Sequence, residues 1–130
     1  MTIRRAIPNI LVDDIAAAQA FYGGFLGFDI AMDEPGFTMF ASPSNRTAQI
    51  TVADANTPGL DRGVREASVS VEVENVDHLY EQAQQQGLEI VYPLTNEPWG
   101  IRRFFVRSPD GTVINVAQHI DGGTSPHPAT

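Results

Sequence analysis

The chain has 130 residues, of which 42% are hydrophobic and 18% are charged, and its formal net charge is −8. This composition is typical of one globular domain, and the negative charge would repel the phosphate backbone of a nucleic acid. Because the chain has no cysteine, no apolar run long enough to cross a bilayer and no apolar signal segment, we expect a cytoplasmic protein without disulfides, thiolate sites or membrane spans.

The first half of the chain predicts one strand, one helix and three further strands. The strands are predicted at residues 7–12, 28–32, 37–41 and 47–53, where apolar residues run between turn signals. Asp13 or Asp14 is expected to cap the helix, because a carboxylate accepts hydrogen bonds from its first free amides. Gly27 suits the left-handed end of the helix, which Gly23 and Gly24 weaken.

The second half predicts the same order of elements. Residues 54–65 hold Pro58 and Gly59 with little periodicity, so they are interpreted as a linker. A strand at 67–73 precedes a helix that Asn75 caps and Gly87 ends. Further strands are predicted at 89–92, 101–107 and 112–119. Residues 121–130 are rich in Gly, Ser, Thr and Pro and are predicted to form a flexible tail.

Landmarks of the two halves recur in the same order about sixty residues apart, which indicates an internal repeat. The pairs are Gly27-Phe28 with Gly87-Leu88, Glu34-Pro35 with Glu97-Pro98, and Ser42-Pro43 with Ser108-Pro109. The predicted fold class is therefore α+β, with two tandem βαβββ modules at about 5–54 and 66–119 of a single domain, 1–120. Pairing of their sheets would form a curved, barrel-like cleft, where a ligand is expected to bind.

Three segments resemble the vicinal oxygen chelate superfamily, which includes glyoxalase I, extradiol dioxygenases, fosfomycin-modifying enzymes and bleomycin resistance proteins. They are Ile10 to Ile15 followed by Phe21-Tyr22, Leu26-Gly27-Phe28, and Ser108 to Ile114. The resemblance spans about residues 6–118. It implies that catalytic members hold a divalent metal with His, Gln and Glu side chains, one from each of four strands.

The positions that the resemblance assigns to these metal ligands carry no histidine and no acid in this chain. They fall on Ile7, Gln49, Ser68 and Asn115. The histidines are not expected to replace them, since His78 lies on a helix, His119 ends a strand and His127 is in the tail. We therefore predict no metal, no cofactor and no catalytic residue, because neutral ligands would hold a divalent cation poorly.

The segment around Trp99 resembles the drug-binding branch, the bleomycin resistance proteins. That likeness implies a homodimer that sequesters a small molecule, with a cationic aromatic antibiotic as one candidate, stacked on Trp99. The alternatives are that Trp99 packs its loop onto the sheet, and that Phe37 and Met39 are core residues. Arg102 and Arg103 point to opposite sides of one strand, and the inward one would either pair with an anionic ligand or be an edge arginine.

The predicted ligand-binding residues are Trp99, Phe37, Met39, Gln49, Ser68, Arg103 and Asn115. Two other functions compete with drug sequestration. One is a metal-dependent lyase, isomerase or dioxygenase with atypical ligands, and the other is a regulatory module that binds a metabolite.

Overall fold

A computed structural model describes residues 2–120, in which the predicted order of elements occurs twice. The first half contains β1 (Ile3–Val12), α1 (Ile15–Gln19), β2 (Asp29–Glu34), β3 (Phe37–Ala41) and β4 (Gln49–Asp54). A short helix, α2 (Arg62–Glu66), separates the halves. The second half contains β5 (Val69–Val73), α3 (Val76–Gln85), β6 (Ile90–Glu97), β7 (Ile101–Arg107) and β8 (Val113–His119).

Both main helices begin at the cap residues expected from the sequence. Of the two candidates before α1, Asp14 is the cap, and its carboxylate accepts a hydrogen bond from the Ala17 amide at 3.0 Å. The side chain of Asn75 accepts from the His78 amide at 3.1 Å and caps α3. Each cap satisfies an amide that has no partner inside its helix.

The eight strands form one sheet in the order β2-β3-β4-β1-β5-β8-β7-β6. Within each half the first strand pairs in parallel with the last, β1 with β4 and β5 with β8. The halves meet where β1 runs antiparallel to β5, with Ile7 opposite Ser70. The modules therefore pair within one chain, and the fold is the expected α+β curved sheet.

Two apolar cores lie between the outer face of the sheet and the main helices. Phe40 and Val52 pack against Ala18 of α1. In the other half, Phe104 and Val116 pack with Val73 of β5 and with Val76 and Ala83 of α3. Burying each large apolar side chain stabilises the fold by about 1.5–3 kcal/mol, so these cores hold each helix on its module. The opposite, inner face of the sheet is left for the site.

Residues 54–65, interpreted as a linker, are not irregular throughout, because α2 begins inside them. Asp61 caps this helix by accepting a hydrogen bond from the Gly63 amide at 2.8 Å. A helix of five residues is too short to show periodicity, and tertiary contacts stabilise it instead: Val64 packs on Phe37 and Ala53 of the sheet. The linker is thus a packed part of the domain.

Other boundaries differ where pairing or glycine overrides local pattern. The helix expected to weaken at Gly23 and Gly24 continues as a π-helix, Ala20–Phe25, whose wider turn is closed by the Leu26 amide donating to the Phe21 carbonyl. β6 extends to Glu97 because it pairs with β7, and it tolerates Pro93 because it is an edge strand.

The predicted tail, 121–130, lies outside the described residues. Within residues 2–120, none of the helices is long and apolar enough to cross a membrane.

Candidate functional site

Four polar side chains, one from each of the four central strands, meet on the inner face and form what we call the polar floor. Its members are Asn9, Thr51, Ser70 and Asn115. The Thr51 hydroxyl donates to Asn9 Oδ1 at 2.7 Å, and Asn9 Nδ2 donates to Ser70 Oγ at 2.9 Å. Asn115 Nδ2 donates to the same Ser70 oxygen at 3.1 Å. The floor is thus a chain of mutually bonded neutral groups, of which Thr51, Ser70 and Asn115 are buried.

These residues do not fit the divalent metal that catalytic relatives would hold. Each is neutral, and the Ser70 oxygen already accepts two hydrogen bonds from amides. Imidazole, carboxylate or thiolate ligands are what such metals need in proteins. Across residues 2–120, His, Cys, Asp and Glu side chains nowhere form a group of three that could hold a metal.

Beside the floor, Arg103 of β7 lies buried between two carboxylates. Its side chain is 1% exposed, and its Nη1 and Nη2 atoms donate to both oxygens of Asp61 at 2.8 and 2.7 Å. Nη2 also lies 2.7 Å from Glu97 Oε2. Burial acts to lower the pKa of Arg103, but the bond to Asp61 and the charges of both carboxylates outweigh it and raise the pKa. The guanidinium therefore stays charged inside the protein.

Three rings, Tyr92, Trp99 and Phe105, surround this guanidinium and are called the aromatic wall. Their centroids lie 5.6, 5.3 and 5.1 Å from its central carbon, distances at which a cation is attracted to a ring face. Tyr92 and Phe105 are 4.9 Å apart, and a second guanidinium, that of Arg62, lies 4.2 Å from the Tyr92 centroid. The second module thus presents aromatic and charged groups to the inner face.

Residues 60–66, which we call the plug segment, cover the inner face between the two modules. Leu60 and Val64 pack against an apolar wall of the first module, formed by Phe37, Ala53, Met32 and Met39. The backbone of Gly63 approaches the Arg103–Asp61 pair so closely that an added Cβ would lie 2.8 Å from Arg103 Nη1 and 2.6 Å from Asp61 Oδ2. The segment therefore touches both modules.

With this geometry established, comparison with known proteins assigns the family. The family model described as the Glyoxalase/Bleomycin resistance protein/Dioxygenase superfamily matches residues 5–116. The chain belongs to this superfamily. The resemblance to the vicinal oxygen chelate proteins is thereby confirmed.

Members of the superfamily differ in how closely they match this chain. Bleomycin resistance proteins of Geobacillus stearothermophilus and Staphylococcus aureus are 29% identical over 136 aligned positions, covering 89% of this chain and 97% of theirs. A superfamily member from Vibrio splendidus superposes with a TM-score of 0.68 at 20% identity, covering 92% of this chain and all of that one. A Mn(II)-bound glyoxalase from Novosphingobium aromaticivorans gives 0.64 at 19% identity, covering 98% of this chain and 42% of that one. The two structures share the fold alone.

Several of the side chains expected at the site face the inner side of the sheet. Trp99 belongs to the aromatic wall and contacts Arg103, and Asn115 lies in the polar floor. Phe37 and Met39 form the apolar wall under the plug segment, with Phe37 fully buried.

Gln49 and Ser68 lie outside the floor, each two residues before the side chain that forms it. Gln49 bonds the Arg46 carbonyl at 2.8 Å, and Ser68 is exposed ahead of β5. Thr51 and Ser70 take the inner positions instead, because side chains of a strand return to the same face every second residue. Ser70 lies directly opposite Asn115 in the parallel pair of β5 and β8, so placing Asn115 on the inner face would also have placed Ser70 there.

Arg103 is the inward-facing member of the arginine pair. Arg102 points to the outer face, where it donates to Asp77 in the first turn of α3 at 2.7 Å. The interpretation of the inward residue as an edge arginine is wrong, because β7 lies between β8 and β6. Sequence reasoning also missed Asp61 as its partner, although an acid after Pro58-Gly59 is a recognisable helix cap.

His119 takes part in a separate charged group at the end of the sheet. Its Nδ1 lies 2.6 Å from Glu72 Oε2, and Arg5 binds the same carboxylate with donor–acceptor distances of 3.1 and 3.0 Å. Burial acts to raise the pKa of Glu72, but Arg5 and His119 outweigh it and lower the pKa. A cleft of about 430 Å³ opens beside this group. His78 is exposed on α3, and His127 lies outside the described residues.

Proposed function

We propose that this protein is a non-catalytic, metal-free small-molecule binding protein of the bleomycin-resistance type, which sequesters an aromatic antibiotic in the cytoplasm. The observation that carries the proposal is the polar floor, a set of four neutral side chains joined by hydrogen bonds: Asn9, Thr51, Ser70 and Asn115. The similarity to bleomycin resistance proteins over nearly their whole length adds to it.

The chemistry of the floor supports binding rather than catalysis. Amides and hydroxyls do not change protonation near neutral pH, so they neither accept nor release a proton as a general acid or base would. They are also poor ligands for a metal that would polarise a substrate oxygen. What these groups do well is to hold the polar atoms of a ligand in one orientation by hydrogen bonds.

The aromatic wall supplies a surface for a flat ligand. Trp99 is half-buried at the turn between β6 and β7, in the same wall as the half-buried Tyr92 and the buried Phe105. Stacking on such a ring adds about 0.5–1.5 kcal/mol to the burial of apolar area. Trp99 is therefore assigned as the stacking residue.

A homodimer is part of this proposal. Phe21, Phe25 and Leu26 project from the π-helix and are 51%, 75% and 50% exposed. Such apolar side chains, grouped on one turn, support association with a second copy, since contiguous exposed apolar surface often marks an interface. Sedimentation velocity of the wild type and of Phe25→Ser would test this part separately.

Calorimetric titration with bleomycin and other aromatic antibiotics tests the proposal. The metal-stripped protein should bind at least one of them, and Trp99→Ala should weaken that binding by about 1–3 kcal/mol while the fold survives. Leu88→Ala removes an exposed apolar side chain beyond the end of α3, outside the aromatic wall and the proposed dimer surface, and serves as the control. The proposal fails if no aromatic antibiotic binds, or if Ni, Mn, Fe or Zn ions bind one per chain below micromolar concentration, which would favour a metal-dependent lyase, isomerase or dioxygenase.

A further inference from the structure

The inner face of this protein is already occupied by part of its own chain. The plug segment, residues 60–66, makes two kinds of contact there. Leu60 and Val64 bury apolar side chains against Phe37 and its neighbours in the first module. A few atoms away, the Asp61 carboxylate forms a two-pronged bond with Arg103 of the second module. The occupant is thus an apolar group next to a carboxylate.

The fit of this occupant is incomplete at Arg103. Asp61 takes both terminal nitrogens of the guanidinium, whereas the buried Nε atom has no hydrogen-bond partner among residues 2–120. A buried donor left without a partner costs about 1–3 kcal/mol, so an acceptor that also reached Nε would bind better than Asp61 does. The helix of the plug segment, α2, has only five residues, so it depends on tertiary contacts for its stability.

Taking the site of the proposed function as given, we propose that the plug segment is an internal competitor and that the ligand is an organic acid. The ligand's carboxylate replaces Asp61 on Arg103, and its apolar or aromatic body replaces Leu60 and Val64 between the apolar and aromatic walls. Binding therefore requires the plug segment to leave the inner face.

Local contacts decide the sign of the ligand's charge in this proposal. The net charge of −8 favours a cation, but it acts through solvent in which charges are screened over about 8 Å at physiological ionic strength. Arg103 is buried and would lie within hydrogen-bonding distance of the ligand, so salt screens their interaction only weakly. Once the plug segment has left, taking Asp61 and the Arg62–Glu66 pair with it, Arg103 keeps one of its two carboxylate partners, Glu97. An incoming carboxylate restores the second contact, whereas an ammonium group would place a like charge beside Arg103.

Three probes of nearly equal size separate these possibilities: phenylacetate, 2-phenylethanol and 2-phenylethylammonium. Trp99 is the sole tryptophan of the chain and borders the site, so its fluorescence reports binding, with calorimetry as a second readout. Phenylacetate should bind roughly ten- to hundredfold more tightly than the alcohol, the range expected for a charge-assisted hydrogen bond. The ammonium probe should bind most weakly.

Two variants loosen the plug segment by different means. Asp61→Asn removes the competing charge, and Gly63→Ala introduces a methyl group against the Arg103–Asp61 pair. Both should strengthen phenylacetate binding by about tenfold, because apparent affinity rises with the fraction of molecules in the open form. Gly24→Ala is the control for Gly63→Ala, since nothing lies within 4 Å of its added Cβ, and Asp29→Asn is the control for Asp61→Asn.

The inference is overturned if the ammonium probe binds best, or if both loosened variants, shown by circular dichroism to be folded, bind phenylacetate no better than the wild type. The first result would leave the proposed function standing with a cationic ligand. Failure of all three probes in the loosened variants, together with bleomycin binding to the wild type, would place the ligand elsewhere and also overturn the inference. Failure of bleomycin and the other antibiotics while phenylacetate binds would reject the antibiotic assignment but keep the acid-binding site.

Discussion

Replacing Arg103 by methionine should cost far more stability than the same replacement one residue earlier. Arg103 is 1% exposed, and its partners Asp61 and Glu97 are 5% and 9% exposed. Arg103→Met leaves both carboxylates buried without a cation, a loss of about 3–5 kcal/mol for a broken buried pair. Arg102 is 29% exposed and pairs with Asp77, which is 58% exposed, so Arg102→Met should cost only about 0–1 kcal/mol.

Urea unfolding followed by far-ultraviolet circular dichroism measures both losses without relying on Trp99, which borders Arg103. Methionine approximates the length of the arginine stem and limits the cavity, so the difference between the variants reports chiefly on charge. Total stabilities of domains are typically 5–15 kcal/mol, which makes the expected gap easily measurable. Equal losses for the two variants, or a loss below about 1 kcal/mol for Arg103→Met, would refute the assignment of a buried ion cluster.

Three further predictions concern the fold around the site. Asp14→Ala should lower the free energy of unfolding by about 0.5–2 kcal/mol through loss of the α1 cap, whereas Asp13→Ala, its exposed neighbour, should change it little. Phe37→Ala should cost about 3–5 kcal/mol in urea unfolding, because this fully buried ring supports Val64 of the plug segment; a loss under 1 kcal/mol would show that the segment does not rely on it. Burial acts to raise the pKa of Glu72, but Arg5 and His119 hold it below its ordinary value of 4.5. The ionised Glu72 therefore stabilises the folded state above pH 4.5, and this stabilisation is lost as pH falls through the lowered pKa. The stability difference between wild type and Glu72→Gln should therefore shrink below that pH, and a difference constant down to pH 2 would contradict the pairing.

The fold could be predicted because its signals are local and occur twice. Asp14 and Asn75 each precede an apolar helical face, and each proves to cap its helix through its own side chain. The strand at residues 37–41 is bounded by Pro35-Gly36 and Ser42-Pro43, so its limits follow from turn residues on both sides. Repetition of the same order sixty residues later leaves few topologies for a sheet with helices on one face.

The site was harder to predict because its contacts join distant parts of the chain. The bond between Arg103 and Asp61 links residues 42 positions apart, and α2 has too few residues to produce a periodic pattern. Counting back from the start of α3 leads to Ser68, and the strand expected to carry the second ligand leads to Gln49. Each lies two residues before the floor residue of its strand, Ser70 or Thr51. A shift of two residues leaves the side chain on the same face of the sheet but moves it along the strand, because side chains return to one face every second residue.

The two modules share one fold but present different chemistry to the space between them. The first offers Phe37 and Met39, and the second offers a buried cation among three rings. A symmetric metal site needs like contributions from both halves, whereas an apolar wall facing a charged aromatic wall suits a ligand with two unlike ends. The plug segment has such ends in Val64 and Asp61. The side chains on the inner face therefore decide function in this superfamily, since one family joins glyoxalases, bleomycin resistance proteins and dioxygenases.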